Sequence, residues 1–288
     1  AAADPLSAAY RSICSACCER SGGWPHAQAI RASFKEAGGI LTPPAFSDGH
    51  GPIGVYAMLA QSAEAMQVLR PCRDAFSGFV SEVGALLTAG QRAELEALTI
   101  VPADCSTHTC VTVFHEHPSL LKDDSQRQAW RPIESGVRIQ LTEALKCMHI
   151  VCERPLLELD ALLLTADGAM IAGFVDRKPG AFEKLRSSSA AIGEQVIGGT
   201  LTSRPKTLIH VTVGRILGAP EGMAEAQAAE LAALVERYNL DVLPAVVAAA
   251  APRSFTLNDV SLVRDSVWLM TEFEEYARWP IGSERALD

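Results

Sequence analysis

The sequence predicts an α+β fold made of two similar halves, preceded by a helical region over residues 1–98. Three observations carry this. Up to residue 98 apolar side chains recur at the spacing of helices. After Pro102 the order becomes strand, helix, hairpin, helix, strand, helix, hairpin. Each of these halves opens on a strand that carries a histidine beside small polar side chains. The boundary this implies separates an N-terminal extension, 1–98, from an α+β domain, 99–288.

Within the extension, Leu6, Tyr10, Ile13 and Cys17 form one stripe, which predicts a helix over Pro5–Arg20. Pro25–Ala37 reads as a second helix, stopped by Gly38-Gly39. Residues 39–51, rich in Pro, Gly, Ser and Asp, read as a loop. Ile53–Leu69 follows as a helix through Val55, Met58, Leu59, Met66 and Leu69, with Ser62 on the same stripe, and then Arg73–Leu87. Thr88 is a fitting N-cap for Ala89–Leu98. No catalytic constellation stands out here, and the helices are candidates for docking a protein partner or covering a cleft.

Beyond Pro102 the first strand is Thr107–Phe114, followed by a helix over Ser135–Met148. Leu156–Leu164 and Met170–Val175 are strands joined by Thr165-Ala166-Asp167-Gly168, where Asp-Gly marks a tight turn. Phe182–Val196 is helical, and 198–206 is a linker. The second half repeats the theme: a strand over Thr207–Leu217 and a helix over Ala224–Tyr238 ended by Asn239. Two strands close it, Ser254–Val263 and Val267–Phe273, with Arg264-Asp265-Ser266 as the turn.

Composition excludes several classes. A net charge of −9 and a pI near 5.3 argue against an extensive nucleic-acid surface, which needs clustered Lys and Arg. A small nucleotide or an RNA end held by a few local cations fits this balance. No apolar run approaches the ~18 residues that span a bilayer. The chain starts at Ala1 rather than Met, so removal of an upstream segment is expected. Eight cysteines without paired CxxC spacing imply reduced thiols in a reducing compartment, and Cys14-Ser-Ala-Cys17-Cys18 belongs to the helical stripe.

Chemistry concentrates in the two histidine strands. Successive side chains of a strand alternate faces, so His210 and Thr212 share one face of His210-Val211-Thr212-Val213-Gly214-Arg215. The same period puts His108, Cys110 and Thr112 on one face of the earlier strand, and Arg215 on the Val213 face, away from His210. Arg215 is therefore either a phosphate contact or a strand-end cation. Two other patterns compete. His115-Glu116-His117 places two imidazoles at i and i+2, a start for a zinc site to which His149, Asp160 or His50 would have to converge. Trp268, Phe273, Tyr276 and Trp279 are either the packing of the last strand or a stacking platform for a base.

The segment His210–Arg215 resembles the second HxTx motif of the 2H phosphoesterase superfamily, especially the branch of RNA 2′,3′-cyclic phosphodiesterases. An Arg often follows the motif in that branch. His108-Thr109-Cys110-Val111 sits where the first motif would be, and the resemblance spans residues 100–280. It implies two antiparallel sheets around a central cleft, with His108 and His210 facing each other across a phosphate. One imidazole would act as general base and the other as general acid, without metal or cofactor. The hydroxyl of Thr212 would hold phosphate oxygens. Histidine suits both roles because its pKa lies near neutrality.

Where the first motif calls for Thr or Ser, this chain has Cys110, and a thiol is a weak donor. Thr112 is the alternative donor, although ~6.6 Å along the strand sets it deep. Three readings follow. The first is a cyclic phosphodiesterase acting on a 2′,3′-cyclic nucleotide or RNA end. The second is a weakened binding module or structural subunit of a larger assembly. The third is a metal-dependent hydrolase built on His115 and His117.

Overall fold

The computed structural model describes residues 5–19, 34–37, 40–43, 45–46, 51–116, 124–131, 133–149, 152–198, 207–267, 270 and 272–282. In chain order the elements are α1 (Pro5–Glu19), β1 (Lys35–Ala37), β2 (Ile40–Thr42), β3 (Ile53–Met58), α2 (Ala63–Ala85) and α3 (Ala89–Leu98). They continue with β4 (Thr99–Ile100), β5 (His108–His115), α4 (Asp124–Ala129), α5 (Ser135–His149), β6 (Leu156–Leu164) and β7 (Ala169–Asp176). The rest are α6 (Ala181–Ile197), β8 (His210–Ile216), α7 (Glu225–Arg237), α8 (Leu243–Ala249), β9 (Ser254–Thr256), β10 (Asp259–Val267) and β11 (Glu272–Pro280).

Two antiparallel sheets dominate, with strand orders β11-β10-β3-β5 and β4-β8-β7-β6-β9. The expected α+β class and its two sheets are therefore present. The halves interlock: β5 joins the sheet of the C-terminal hairpin β10–β11, while β8 pairs with the β6–β7 hairpin of the first half. One apolar core unites the inner faces of both sheets with the helices, from Val55, Phe76 and Leu95 to Leu145, Phe182, Val211 and Phe255.

Several expectations are corrected. Ile53–Met58 is not helical but an inner strand between β10 and β5, and all six of its residues are buried. A strand covered on both faces loses alternation, so its apolar run mimics a helix stripe. The helix begins only at Ala63, where Ser62 accepts a hydrogen bond from the Ala65 amide at 3.2 Å. It then runs through Pro71 rather than breaking there. Because β3, α2 and α3 share the core with later elements, residue 98 does not divide the core.

Lys35–Ala37 is a strand on Ile40–Thr42, not a helix end, and the rest of the expected helix 25–37 lies outside the described residues. Of the expected loop 39–51, Ile40–Thr42 is strand and Ala45 bridges to Val267. Asn239 does not end its helix. A π-helical turn, Tyr238–Val242, leads straight into α8, and the Asn239 amide instead pairs with the backbone of Leu164 at 2.8 and 3.1 Å. There β9, which pairs only with Leu156–Glu158, leaves the edge of β6 open. Arg264-Asp265-Ser266 lies inside β10, and the Asp265 carboxyl accepts from the Met270 amide at 3.3 Å. No helix among the described residues is long and apolar enough to cross a membrane.

Candidate active site

The His210 strand sits on β7 in a register that fixes which side chains face together. His210 lies opposite Gly173, Thr212 opposite Ile171 and Arg215 opposite Ala169. Directly opposed residues share a face, so all three motif side chains stand on the sheet surface turned away from the main core. Val211, Val213 and Ile216 point inward. Strict alternation fails at a β-bulge, where Val213 is the extra residue between the pairs Thr212–Ile171 and Gly214–Met170. Gly214 also faces inward, and a Cβ there would run into the Phe76 ring. The bulge thus turns Arg215 back onto the His210 face, contrary to the expectation from simple alternation.

Arg215 is 12% exposed and donates from Nη1 to the Asp167 carboxylate at 3.1 Å and to the Asp167 carbonyl at 3.0 Å. Burial would raise the Asp167 carboxyl, but the Arg215 charge and hydrogen bonds from Thr165 and Arg215 outweigh it and hold it below the usual range. The Nε–H of Arg215 is buried with no hydrogen-bond partner among the described residues.

The first histidine strand has the same device with the opposite result. Along β5, His108 opposes Met58 and Cys110 opposes Tyr56, all on the face of a second apolar cluster with Val113, Val263 and Met270. Val111 is an extra residue, so the next pair is Thr112 with Val55, a member of the main core. Thr112 is therefore turned inward and buried, not on the His108 face. It does not line up with His108 and Cys110 as expected.

His108 is half-buried, and its Nδ1 lies 2.7 Å from the Ser106 carbonyl. A carbonyl only accepts, so Nδ1 carries the proton and Nε2 is the free lone pair of the neutral ring. Burial lowers its pKa, only partly offset by the Ser106 bond. The Tyr56 ring meets it edge-on at 5.3 Å. The loop before the strand is fixed from α2, where Arg73 pairs with Asp104 and donates to Thr107.

Beside His210 stands a residue the sequence did not single out for the site. Tyr10 of α1 fills the space over Gly173, where a Cβ would lie 2.6 Å from its ring. Its hydroxyl donates to the Ile209 carbonyl at 2.5 Å and accepts from the Phe174 amide at 3.1 Å. Burial pushes its phenol far up, out of any physiological titration. Around it Leu6 and Ile13 pack with Leu163, Ala169 and Ile171, so α1 lies on the β6–β7 part of the sheet face that bears His210, Thr212 and Arg215. The stripe Leu6-Tyr10-Ile13 signalled burial but not its partner.

The competing patterns are used elsewhere. His115 opposes Ile53, is buried, and stacks on Trp130 at 4.9 Å and 18°. His117 and His50 lie outside the described residues. Trp279 is buried in the main core, Tyr276 lies under Arg138 at 4.4 Å, and Phe273 packs on the Val263–Met270 cluster; Trp268 is outside the described residues.

β5 and β8 belong to different sheets yet lie against each other. His108 and His210 both stand on the faces turned away from the shared core.

No family model and no curated protein matches the chain. Among solved structures, Escherichia coli LigT complexed with 3′-AMP is similar at a TM-score of 0.43 and 11% identity, over 81% of this chain and 99% of that one. TT0787 of Thermus thermophilus gives the same values. ATU0111, a conserved protein of unknown function from Agrobacterium tumefaciens, gives a TM-score of 0.44 at 11% identity, over 84% of this chain and 94% of that one.

Proposed function

We propose that this protein is a cyclic phosphodiesterase that opens the 2′,3′-cyclic phosphate of a nucleotide or RNA end by two-histidine acid/base catalysis. The observation that carries the reading is that the two motif histidines stand on outward faces of adjoining strands, with burial lowering the pKa of His108. His108, with its proton on Nδ1 and its pKa lowered, serves as general base: Nε2 takes a proton from the attacking water. The water oxygen bonds to phosphorus as the bond to one ribose oxygen breaks. His210 gives its proton to that leaving oxygen. Thr212 donates to the phosphate oxygens, and the Arg215 guanidinium on the same face adds positive charge. One turnover leaves His108 protonated and His210 neutral, and proton exchange with solvent resets both rings.

Hydrolysis of 2′,3′-cyclic nucleotides in EDTA tests this. Activity present in the native chain and lost in both His108→Ala and His210→Ala is expected; full activity in the double variant would sink the reading. A second reading, a weakened binding module, is favoured by Cys110 and the inward turn of Thr112, which leave the first motif without a strong donor. Tight nucleotide binding without turnover is its signature.

A further inference from the structure

The junction between the two histidine strands holds a buried charge that the mechanism does not use. Arg186, on α6, is 8% exposed. Its Nε donates to the Val111 carbonyl of β5 at 3.0 Å, and one Nη donates to the Leu208 carbonyl at 2.9 Å. Val111 lies three residues after His108, and Leu208 two before His210. The other Nη meets Glu183, itself 70% exposed, at 3.3 Å, and the guanidinium lies over the Phe182 ring at 4.9 Å.

Edge strands leave backbone carbonyls that need a donor. β5 is the edge of its sheet, and among the described residues β8 is covered on its outer side only by the two-residue β4, which pairs with Arg215 and Ile216 at the far end. The two sheets share no ladder between β5 and β8. One planar guanidinium supplies the missing donors to both strands at once. A lysine ammonium has no such fork. Stability alone gives little reason to bury this charge, since a well-packed apolar side chain often does as well. What the fork adds is a fixed separation.

We infer that Arg186 is a positioning residue: it sets the distance between the two histidine strands, and so between His108 and His210. This rests on the two-histidine reading. The guanidinium touches neither imidazole and acts only through the strands. A displacement of ~1 Å at reacting groups costs on the order of a hundredfold in rate, so a small change at this pin has a large kinetic readout.

The experiment uses Arg186→Met, Arg186→Lys and Arg186→Ala in the full chain, with near-UV circular dichroism to confirm native packing of each. The imidazole titrations of His108 and His210 are followed by NMR. In the native chain, His210→Gln is expected to shift the His108 midpoint, because the rings couple at short range. In Arg186→Met that shift shrinks, and in Arg186→Lys it is intermediate. With cyclic nucleotide, kcat falls at least tenfold while KM stays within about threefold, and guanidinium at millimolar concentration restores part of kcat to Arg186→Ala. No coupling in the native chain overturns the two-histidine reading on which the inference rests. Coupling that persists unchanged in Arg186→Met overturns the pin alone. A rise in KM with kcat unaltered also overturns it.

Discussion

Tyr10 stands on Gly173, the residue directly across the sheet from His210, and its hydroxyl closes on the carbonyl of Ile209. A side chain from the first helix thus walls one side of the candidate site. Tyr10→Phe should cost about 1 kcal/mol by losing the buried hydrogen bond. Tyr10→Ala should cost about 3–5 kcal/mol by emptying the space over Gly173. Gly173→Ala, which pushes the ring out, should destabilise as well. Denaturant unfolding of the three variants checks the order.

The faces assigned by the bulges separate two threonines. Thr212→Val should lower kcat about a hundredfold, the loss of one donor to a developing oxyanion. Thr112→Val should leave kcat unchanged, since its side chain faces the Val55 side of the sheet. Equal losses in both would contradict the bulge at Val111.

Cys110 shares the His108 face through its partner Tyr56. Replacing the thiol with a hydroxyl, as Cys110→Thr, should raise kcat about tenfold, the scale of one hydrogen bond to a charged group. Turnover of a cyclic nucleotide by the variant and the native chain makes the comparison.

Burial holds His108 below the ordinary pKa of 6.5. As general base it works only when neutral, so kcat/KM should climb as pH rises through that lowered pKa and be complete before neutrality. With His210 as the proposed general acid, a descending limb at higher pH is expected. A pH–rate profile whose acid limb lies above pH 6.5 would reverse the two roles.

Asp265 lies on β10 with its carboxyl buried, and desolvation raises its pKa to about 8 against weaker backbone bonds from Met270 and Val267. The folded state therefore binds a proton that the unfolded chain has released above ~4. Stability should fall as pH rises from ~4 to about 8, by at most about 1.4 kcal/mol per pH unit. Asp265→Asn keeps an acceptor for Met270 and should flatten that slope. Unfolding free energies at pH 5 and 8 read it.

Much of this was legible in the sequence for a local reason. Helical stripes, the Asp167-Gly168 turn and the two strands led by His108 and His210 are patterns a chain segment carries by itself. They carry the α+β class and the two strands led by histidines. Asn239 misled because its side chain satisfies distant backbone at Leu164, and Asp265 because its carboxyl accepts from Met270 just beyond the strand it was expected to end.

Other features depend on what lies across the sheet. Ile53–Met58 became a strand because β10 and β5 flank it, and burial on both faces erased the period that marks a strand. Thr112 left the His108 face and Arg215 joined the His210 face because a bulge exists only relative to a partner strand. The sequence by itself determined which side chains could do acid/base chemistry. Only the tertiary structure decided which sheet face each of them takes, because pairing register, the cover by Tyr10 and the junction at Arg186 join residues far apart in the chain.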